Sequence, residues 1–368
     1  MPASDTISFA RGAPSLDIVD VDGLREAAVR AFESDPAGLT AYGTAIGYPP
    51  LRALIAEQHG VEPEQVVVTN GSMQADAFLF ETLIEPGDTV VVEKPTYDRT
   101  LLSLDTYRGA KVEMVDLQPD GIDVEQLRAR LRDGLRPKLA HIIPNFQNPA
   151  GYTLSAEKRS QLLALAEEHD FLVFEDDPYV ELRFRGHRLP TMLSLDRHDR
   201  VVYASSYSKT VCPGVRVGYL VGPADLIARI VRRATDTYIS PSMISQAIVY
   251  EFARSGRIRQ AIETVKTALQ ERAERLCAAL ERELPEARFV APEGGYFLWV
   301  ELPEGTDVAA LFEEAAERGV LIVKGTDFLL EGGENTLRLA YSGVTPDQID
   351  EGVRRLAEAY RAVAPPAA

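Results

Sequence analysis

Cysteine is nearly missing from this chain: Cys212 and Cys277 are the two among 368 residues. Two thiols cannot build a multi-bridge framework, and no Cys-x-x-Cys or His-plus-Cys cluster stands at metal-ligand spacing. Neither a disulfide scaffold nor a metal site is expected, and a reducing compartment fits. A basic excess is missing too. Lys plus Arg number 39 against 56 Asp plus Glu, a formal charge of −17 spread along the chain rather than gathered in a tail. Such a surface makes nucleic acid and anionic membrane poor partners. No stretch approaches the roughly 18 apolar residues of a membrane span. Residues 1–9 lack the basic start and apolar run of a signal peptide, so a cytoplasmic location is expected. Repeats, low-complexity tracts and charge blocks are absent, and the expected loose segment is the Ala- and Pro-rich tail, residues 363–368. No Gly-x-Gly-x-x-Gly turn follows the first strand, which counts against a dinucleotide-binding domain.

What is present is a 45% hydrophobic chain, enough for one sizeable core and a second smaller one. Apolar, β-branched runs at residues 66–69, 89–92, 139–143, 171–174, 201–204 and 215–221 have the character of strands buried on both faces. Amphipathic stretches at 73–84, 123–132 and 156–169 are long enough to be crossover helices. The centre therefore reads as an α/β domain with a mainly parallel sheet flanked by helices. After Pro223 the pattern is helical through Leu284, then strand-like at 296–302, 320–323 and 336–341, with helices at 307–318 and 346–362. That predicts a smaller α+β domain. The expected division is residues 1–38 as an N-terminal segment of the small domain, 39–255 as the large domain and 256–368 as the rest of the small one.

Chemistry-bearing residues gather where these strands end, the edge at which open α/β sheets collect ligands. Ser205-Ser206-Tyr207-Ser208-Lys209 follows the run 201–204 and aims a lysine into a crevice. Ser206, Ser208 and Arg216, in Gly214-Val215-Arg216-Val217-Gly218, can ring a phosphate dianion. Glu175-Asp176-Asp177-Pro178-Tyr179 ends another strand, and a buried carboxylate such as Asp176 keeps a pyridine nitrogen protonated. Tyr179 can donate to a phenolic oxygen on the same ring. Asn148, in Pro144-Asn145-Phe146-Gln147-Asn148-Pro149-Ala150-Gly151, can donate to that oxygen as well. Gly71, Ser72 and Met73 open a helix whose backbone amides suit a phosphate. Tyr97, in Lys94-Pro95-Thr96-Tyr97, can stack on the ring. Together they supply a Schiff-base amine, a ring-nitrogen partner, phenolic-oxygen donors, a stacking ring and a phosphate cup.

On these residues the chain resembles the fold type I, class I/II aminotransferases, most nearly the branch with the 2-aminoadipate and kynurenine aminotransferases, from about Ile7 to the last helix. The resemblance implies pyridoxal 5'-phosphate as cofactor, with Lys209 as its lysine. It implies Ser72, the Met73 backbone, Ser206, Ser208 and Arg216 as phosphate ligands, and Tyr97, Asn148, Asp176 and Tyr179 as ring partners. It also implies a homodimer with shared active sites, in which Tyr42 reaches the neighbouring subunit's phosphate. Arg338 matches the arginine that takes the substrate α-carboxylate, and Asn148 shares that carboxylate. An arginine inside an apolar strand without an evident local acid is costly unless something pairs with it.

The departures from the family pattern bear on substrate. The substrate-gating arginine of the aminoadipate members, on a longer N-terminal segment, has no counterpart here. A Gly-Gly pair is replaced by Ala10-Arg11-Gly12, which can put the Arg11 guanidinium near the substrate side chain or leave it on the surface. Met73 stands where glutamine is common, and Asn-Pro-Thr-Gly becomes Asn148-Pro149-Ala150-Gly151. The implied reaction is ping-pong transfer of an amino group from an amino acid to a 2-oxo acid, 2-oxoglutarate or pyruvate. Racemases, β-lyases, cyclases and oxidases share this constellation, and the sequence leaves those outcomes open. A regulator fused to a winged helix would need a basic domain ahead of Ile7, and is not expected.

Overall fold

The computed structural model describes residues 6–364. Most of the expected loose tail lies outside them; Val363 itself is the last residue of the helix Pro346–Val363. In chain order the strands are β1 (Ile7–Ser8), β2 (Val66–Thr69), β3 (Thr89–Lys94), β4 (Lys111–Gln118), β5 (Gly121–Ile122), β6 (Leu139–Ile142), β7 (Leu172–Asp176), β8 (Val201–Ser206), β9 (Gly218–Val221), β10 (Phe297–Glu301), β11 (Val320–Leu321), β12 (Val323–Lys324) and β13 (Thr336–Ala340).

Eight of them form one sheet in the order β2-β9-β8-β7-β6-β3-β4-β5. Pairing is parallel from β4 through β3, β6 and β7 to β8. Strand β9 runs antiparallel to both β8 and β2, so β2 regains the direction of β8. The carboxyl ends of β2, β3, β6, β7 and β8 therefore share one edge with the amino end of β9. Strands β2, β6, β8 and β9 are buried at every position, as expected of a sheet covered on both faces. One face packs on the helices Ser72–Leu83 and Ala224–Tyr238 through Phe78, Leu79 and Ile230. The segment between β3 and the helix Val124–Arg132, which no sequence signal had marked, supplies β4 and the short hairpin strand β5.

A separate cluster holds the C-terminal part together. Strands β10, β13 and β12 form a three-stranded antiparallel sheet, covered by Leu276, Leu280, Val353 and Leu356 of the helices Arg257–Glu283 and Pro346–Val363. The N-terminal Ile7 and Phe9 are buried in this cluster, and β1 pairs in parallel with β11. Farther along the same N-terminal segment, the helix Val21–Ser34 buries Ala27 and Ala31 in a different cluster with Val66, Val68 and Tyr203 of the large sheet.

Two expected strands need correction. The run 215–221 begins as a strand at Gly218, because Arg216 takes a left-handed backbone conformation (φ 49°) that ends the preceding turn. The run 320–323 is divided at Ile322, its first half pairing with β1 and its second with β13.

Candidate active site

The shared sheet edge opens into a cavity of about 460 Å³. Its wall carries Ser72, Met73, Tyr97, Asn148, Asp176 and Tyr179 together with Ser206, Ser208, Lys209, Arg216, Arg338 and Arg11. A larger cavity of about 640 Å³ borders the same Ser206 and Pro178, but neither Lys209 nor Asp176 lines it.

The Lys209 amine donates to the Gly12 carbonyl oxygen at 2.8 Å and lies 5.2 Å and 5.7 Å from the ring centres of Tyr296 and Tyr179. Burial pushes its pKa down to about 8, and the nearby Arg216, Arg338 and Arg11 guanidiniums push the same way against Asp176. A charged amine is poorly tolerated among rings and guanidiniums, so the neutral, nucleophilic form is within reach near neutral pH.

Asp176 ends β7. One carboxylate oxygen lies 3.4 Å from His141 Nε2, while Oδ1 is buried with no hydrogen-bond partner. Its neighbour Asp177 points elsewhere: both oxygens accept from Asn145 Nδ2, at 3.0 and 2.9 Å, and Asn145 Oδ1 accepts from the wholly buried Arg159. That chain fixes the turn containing Asn148 against the acidic strand end. Glu93 fixes it from the other side by accepting from Ile143 N and Gln147 Nε2, each at 3.1 Å. His141, a lone polar residue inside an apolar strand, is a site residue that sequence reading missed. It pairs directly with Phe174 in the neighbouring strand, two residues before Asp176, a register that the sequence alone does not carry.

The phosphate-like pole lies where β2 ends and β9 begins. Arg216 Nη1 approaches the Ser208 hydroxyl at 3.3 Å, and the Ser206 hydroxyl donates to that of Ser208 at 2.9 Å. Gly71 adopts φ 89°, and a Cβ there would lie 2.1 Å from Arg216 Nη2. A Cβ on Gly218 would lie 2.4 Å from the Ser72 amide nitrogen. The missing side chains leave a cradle with amides at a helix N-terminus, two hydroxyls and a guanidinium, a set suited to a dianion.

Arg338 sits in β13 opposite Trp299 and Val323. Its guanidinium lies between the Phe297 and Phe328 rings, 4.4 and 4.8 Å from their centres. Nη1 donates to Asn148 Oδ1 at 2.8 Å and Nη2 to the Ala10 carbonyl oxygen at 2.6 Å, while Nε is buried without a partner. Burial lowers its pKa. A buried guanidinium with no ion-pair partner among the described residues, beside the lysine, is suited to receive a carboxylate. Because Asn148 Oδ1 accepts from Arg338, its amide NH2 is left to donate.

Tyr97 lies under the cavity with its hydroxyl 3.8 Å from Met73 sulfur, and burial pushes its pKa up to about 12. The deeply buried Tyr179 packs edge-on against Phe297 and stays protonated, able to donate. Gly71 shapes the cradle without lining the cavity. Tyr42 is not brought to this chain's site: it follows the helix Pro36–Thr40 and is 88% exposed.

Pyridoxal phosphate fits these residues. The orphaned Asp176 oxygen matches a pyridinium N–H, the cradle matches the phosphate, and the low-pKa lysine matches the aldehyde. The description "aminotransferase class I and II" matches the chain over residues 4–356. A 2-aminoadipate transaminase of Thermus thermophilus is 35% identical over 360 residues, covering 96% of this chain and 90% of the relative. The aromatic-amino-acid aminotransferase 1 of Thermococcus litoralis is 32% identical over 370 residues, covering 97% and 88%. The solved Thermus thermophilus α-aminoadipate aminotransferase, complexed with N-(5'-phosphopyridoxyl)-L-leucine, superposes with a TM-score of 0.93 at 34% identity, covering 98% and 93%. The chain thus belongs to the class I and II aminotransferases, enzymes of the fold type I architecture whose cofactor is pyridoxal 5'-phosphate.

Proposed function

We propose that this enzyme moves the α-amino group of an L-amino acid to a 2-oxo acid, 2-oxoglutarate or pyruvate, by a ping-pong mechanism. The observation that carries the reading is the placement of a depressed-pKa lysine, Lys209, between an orphaned carboxylate, Asp176, and a guanidinium without an acid, Arg338. The bound cofactor supplies the electron sink and carries the amino group between the two substrates.

The chain's own residues do the rest. Ser72, the Met73 amide, Ser206, Ser208 and Arg216 anchor the phosphate. Tyr97 stacks on the ring, Asp176 holds the ring-nitrogen proton, and Asn148 and Tyr179 donate to the phenolic oxygen. Arg338, with Asn148, grips the α-carboxylate and so fixes which bond at Cα stands perpendicular to the ring. Lys209, freed by the incoming amino acid, would take the Cα proton on Nζ and return it, along the same face, to the cofactor carbon that the lysine had held. Related enzymes named for aminoadipate, aromatic and kynurenine substrates support transamination rather than racemisation, β-elimination, cyclisation or oxidation.

Arg11 lines the cavity mouth. We assign it the distal carboxylate of a glutamate-like donor or acceptor: Arg11→Gly should raise the Michaelis constant for dicarboxylic substrates selectively, and equal effects on all substrates would return Arg11 to the surface. The working unit is a cytoplasmic homodimer with Tyr42 completing the partner's phosphate site. Within it, residues 39–255 form the cofactor domain, and residues 1–38 with 256–368 form the small domain. The helix Val21–Ser34 is the part of the N-terminal segment that crosses onto the large sheet's core. An amino-acid panel followed by absorbance tests the whole reading: at least one donor should convert the cofactor to its amine form and yield the oxo acid. Consumption of donor without the amine form would reject it.

A further inference from the structure

Asp76 has no part in the mechanism above, yet it lines the same cavity as Asp176, Tyr97 and Lys209. It stands in the helix Ser72–Leu83, four residues after Ser72, so both side chains project from one helix face. Its side chain is 9% exposed, and Oδ1 is buried without a hydrogen-bond partner. An unpaired buried carboxyl is a large penalty for a fold to carry in the middle of a helix, where an apolar residue would pack freely. The cavity thus holds two orphaned carboxyl oxygens, one on Asp76 and one on Asp176, with Tyr97 facing both and His141 behind Asp176. Along the helix, Ser72 sits at the phosphate cradle and Asp76 one turn deeper, on the Asp176 side.

We propose that Asp76 is a second carboxyl at the ring-nitrogen end of the cofactor site, giving its proton to that nitrogen as the cofactor seats and holding the pyridinium together with Asp176. The proton balance is internal: the Asp76 O–H bond breaks, its electron pair stays on the carboxylate, and a ring N–H bond forms. Two facts agree with it. Burial, followed by the like charge of Asp176, holds Asp76 well above the usual carboxylate range in the absence of a cation, so the proton is there to give. Neither Asp76 Oδ1 nor Asp176 Oδ1 has a hydrogen-bond donor among the described residues, so a pyridinium N–H would be a partner open to both.

The inference rests on Asp176 being the ring-nitrogen partner, and one measurement separates the two claims. Dissociation constants of the full chain are determined for pyridoxal phosphate and for its carbocyclic analogue with CH in place of the ring nitrogen. The wild type should prefer the natural cofactor, and Asp76→Asn should cut that preference at least tenfold. Asp76→Ala is measured in parallel, so that misfolding of one variant leaves the other to decide. An unchanged preference, even with both ligands weakened equally, overturns the proposal and makes Asp76 a packing residue. Asp176→Asn is the reference arm: if it too leaves the preference intact, the assignment of Asp176 fails, whereas a loss there without one at Asp76 removes only Asp76.

Discussion

Lys209 is the residue on which the chemistry turns, and its surroundings give it a pH signature. Burial, with the neighbouring guanidiniums, pushes its pKa down from the ordinary 10.5 to about 8. The neutral amine that captures the cofactor is therefore half formed near pH 8 and falls about tenfold per unit below that. Stopped-flow absorbance of apoenzyme mixed with cofactor should show a capture rate that climbs to a plateau above pH 8. Arg338→Met, which removes one of the charges pressing the amine toward neutrality, should move the midpoint upward; a midpoint that stays put would mean that burial and Arg216 set it without Arg338. The linkage to stability has the same sign: the depressed lysine favours the fold most above its unfolded pKa, and that contribution is lost as pH falls through the interval down to about 8. Lys209→Ala should no longer link covalently to the cofactor, and borohydride reduction of wild type followed by peptide mapping should place the label on Lys209 alone. Arg338→Met should also raise the Michaelis constant of every amino donor by roughly 10- to 100-fold, the loss of about 1.5–3 kcal/mol of charge-assisted hydrogen bonding in all. A selective effect on one class of donor would mean that Arg338 holds the side chain rather than the α-carboxylate.

At the scale of elements, the site was legible wherever a strand ended in chemistry. The runs ending at Thr69, Phe174 and Ala204 needed only their apolar character and the residues that follow to be placed at one edge. What escaped the sequence was pairing. Strand β4 has one buried position, Val115, among exposed and half-buried ones, so its apolar content is diluted, and β5 is two residues long and exists only because a turn returns it to β4. His141 and Asp76 were invisible for a related reason: each is a single polar residue in a segment whose pattern says core, and only the neighbouring strand or helix reveals what it faces. Gly71 reads as a turn residue from the sequence, whereas Gly218 falls inside the expected strand 215–221, and the structure adds why it cannot carry a side chain. Its Cβ would press on the Ser72 amide nitrogen and the Gly71 carbonyl carbon, at 2.4 and 2.5 Å, both backbone atoms with nowhere to retreat. Gly218→Ala should push β9 away from the helix N-terminus, destabilise the fold by about 1–3 kcal/mol and weaken cofactor binding at least tenfold, read by equilibrium dialysis. Full retention of affinity would show that the cradle has slack the packing does not suggest.

At the scale of the whole molecule, one expected site residue remains without a ligand in its own chain. Tyr42 is 88% exposed in a loop beside Met243, since a Cβ on Gly43 would lie 1.9 Å from the Met243 methyl carbon. Ile239 and Ile244 are also exposed, 53% and 42%, and Ser242 between them is tied to the cradle by a hydrogen bond from its amide to Asn70 Oδ1 at 3.1 Å. Exposed aliphatic and aromatic side chains grouped beside a ligand site are costly to leave in water and commonly mark an interface. A two-fold axis near this patch would cover the apolar residues and carry each Tyr42 toward the other chain's phosphate pole, so the same contacts would stabilise the assembly and complete the site. Light scattering should therefore give twice the 40.5 kDa of one chain. Tyr42→Phe should keep that mass while weakening the cofactor, because it removes the hydroxyl and spares the packing. Ile244→Asp should split the dimer and lose cofactor together. The decisive mixture is Tyr42→Phe with Lys209→Ala. If Tyr42 serves the partner, a heterodimer has one site with neither defect and one with both, so exchange of inactive or weakened homodimers restores a single wild-type site per dimer. A mixture no better than the sum of its parts would place Tyr42 in its own chain's economy and leave the phosphate pole complete without a partner.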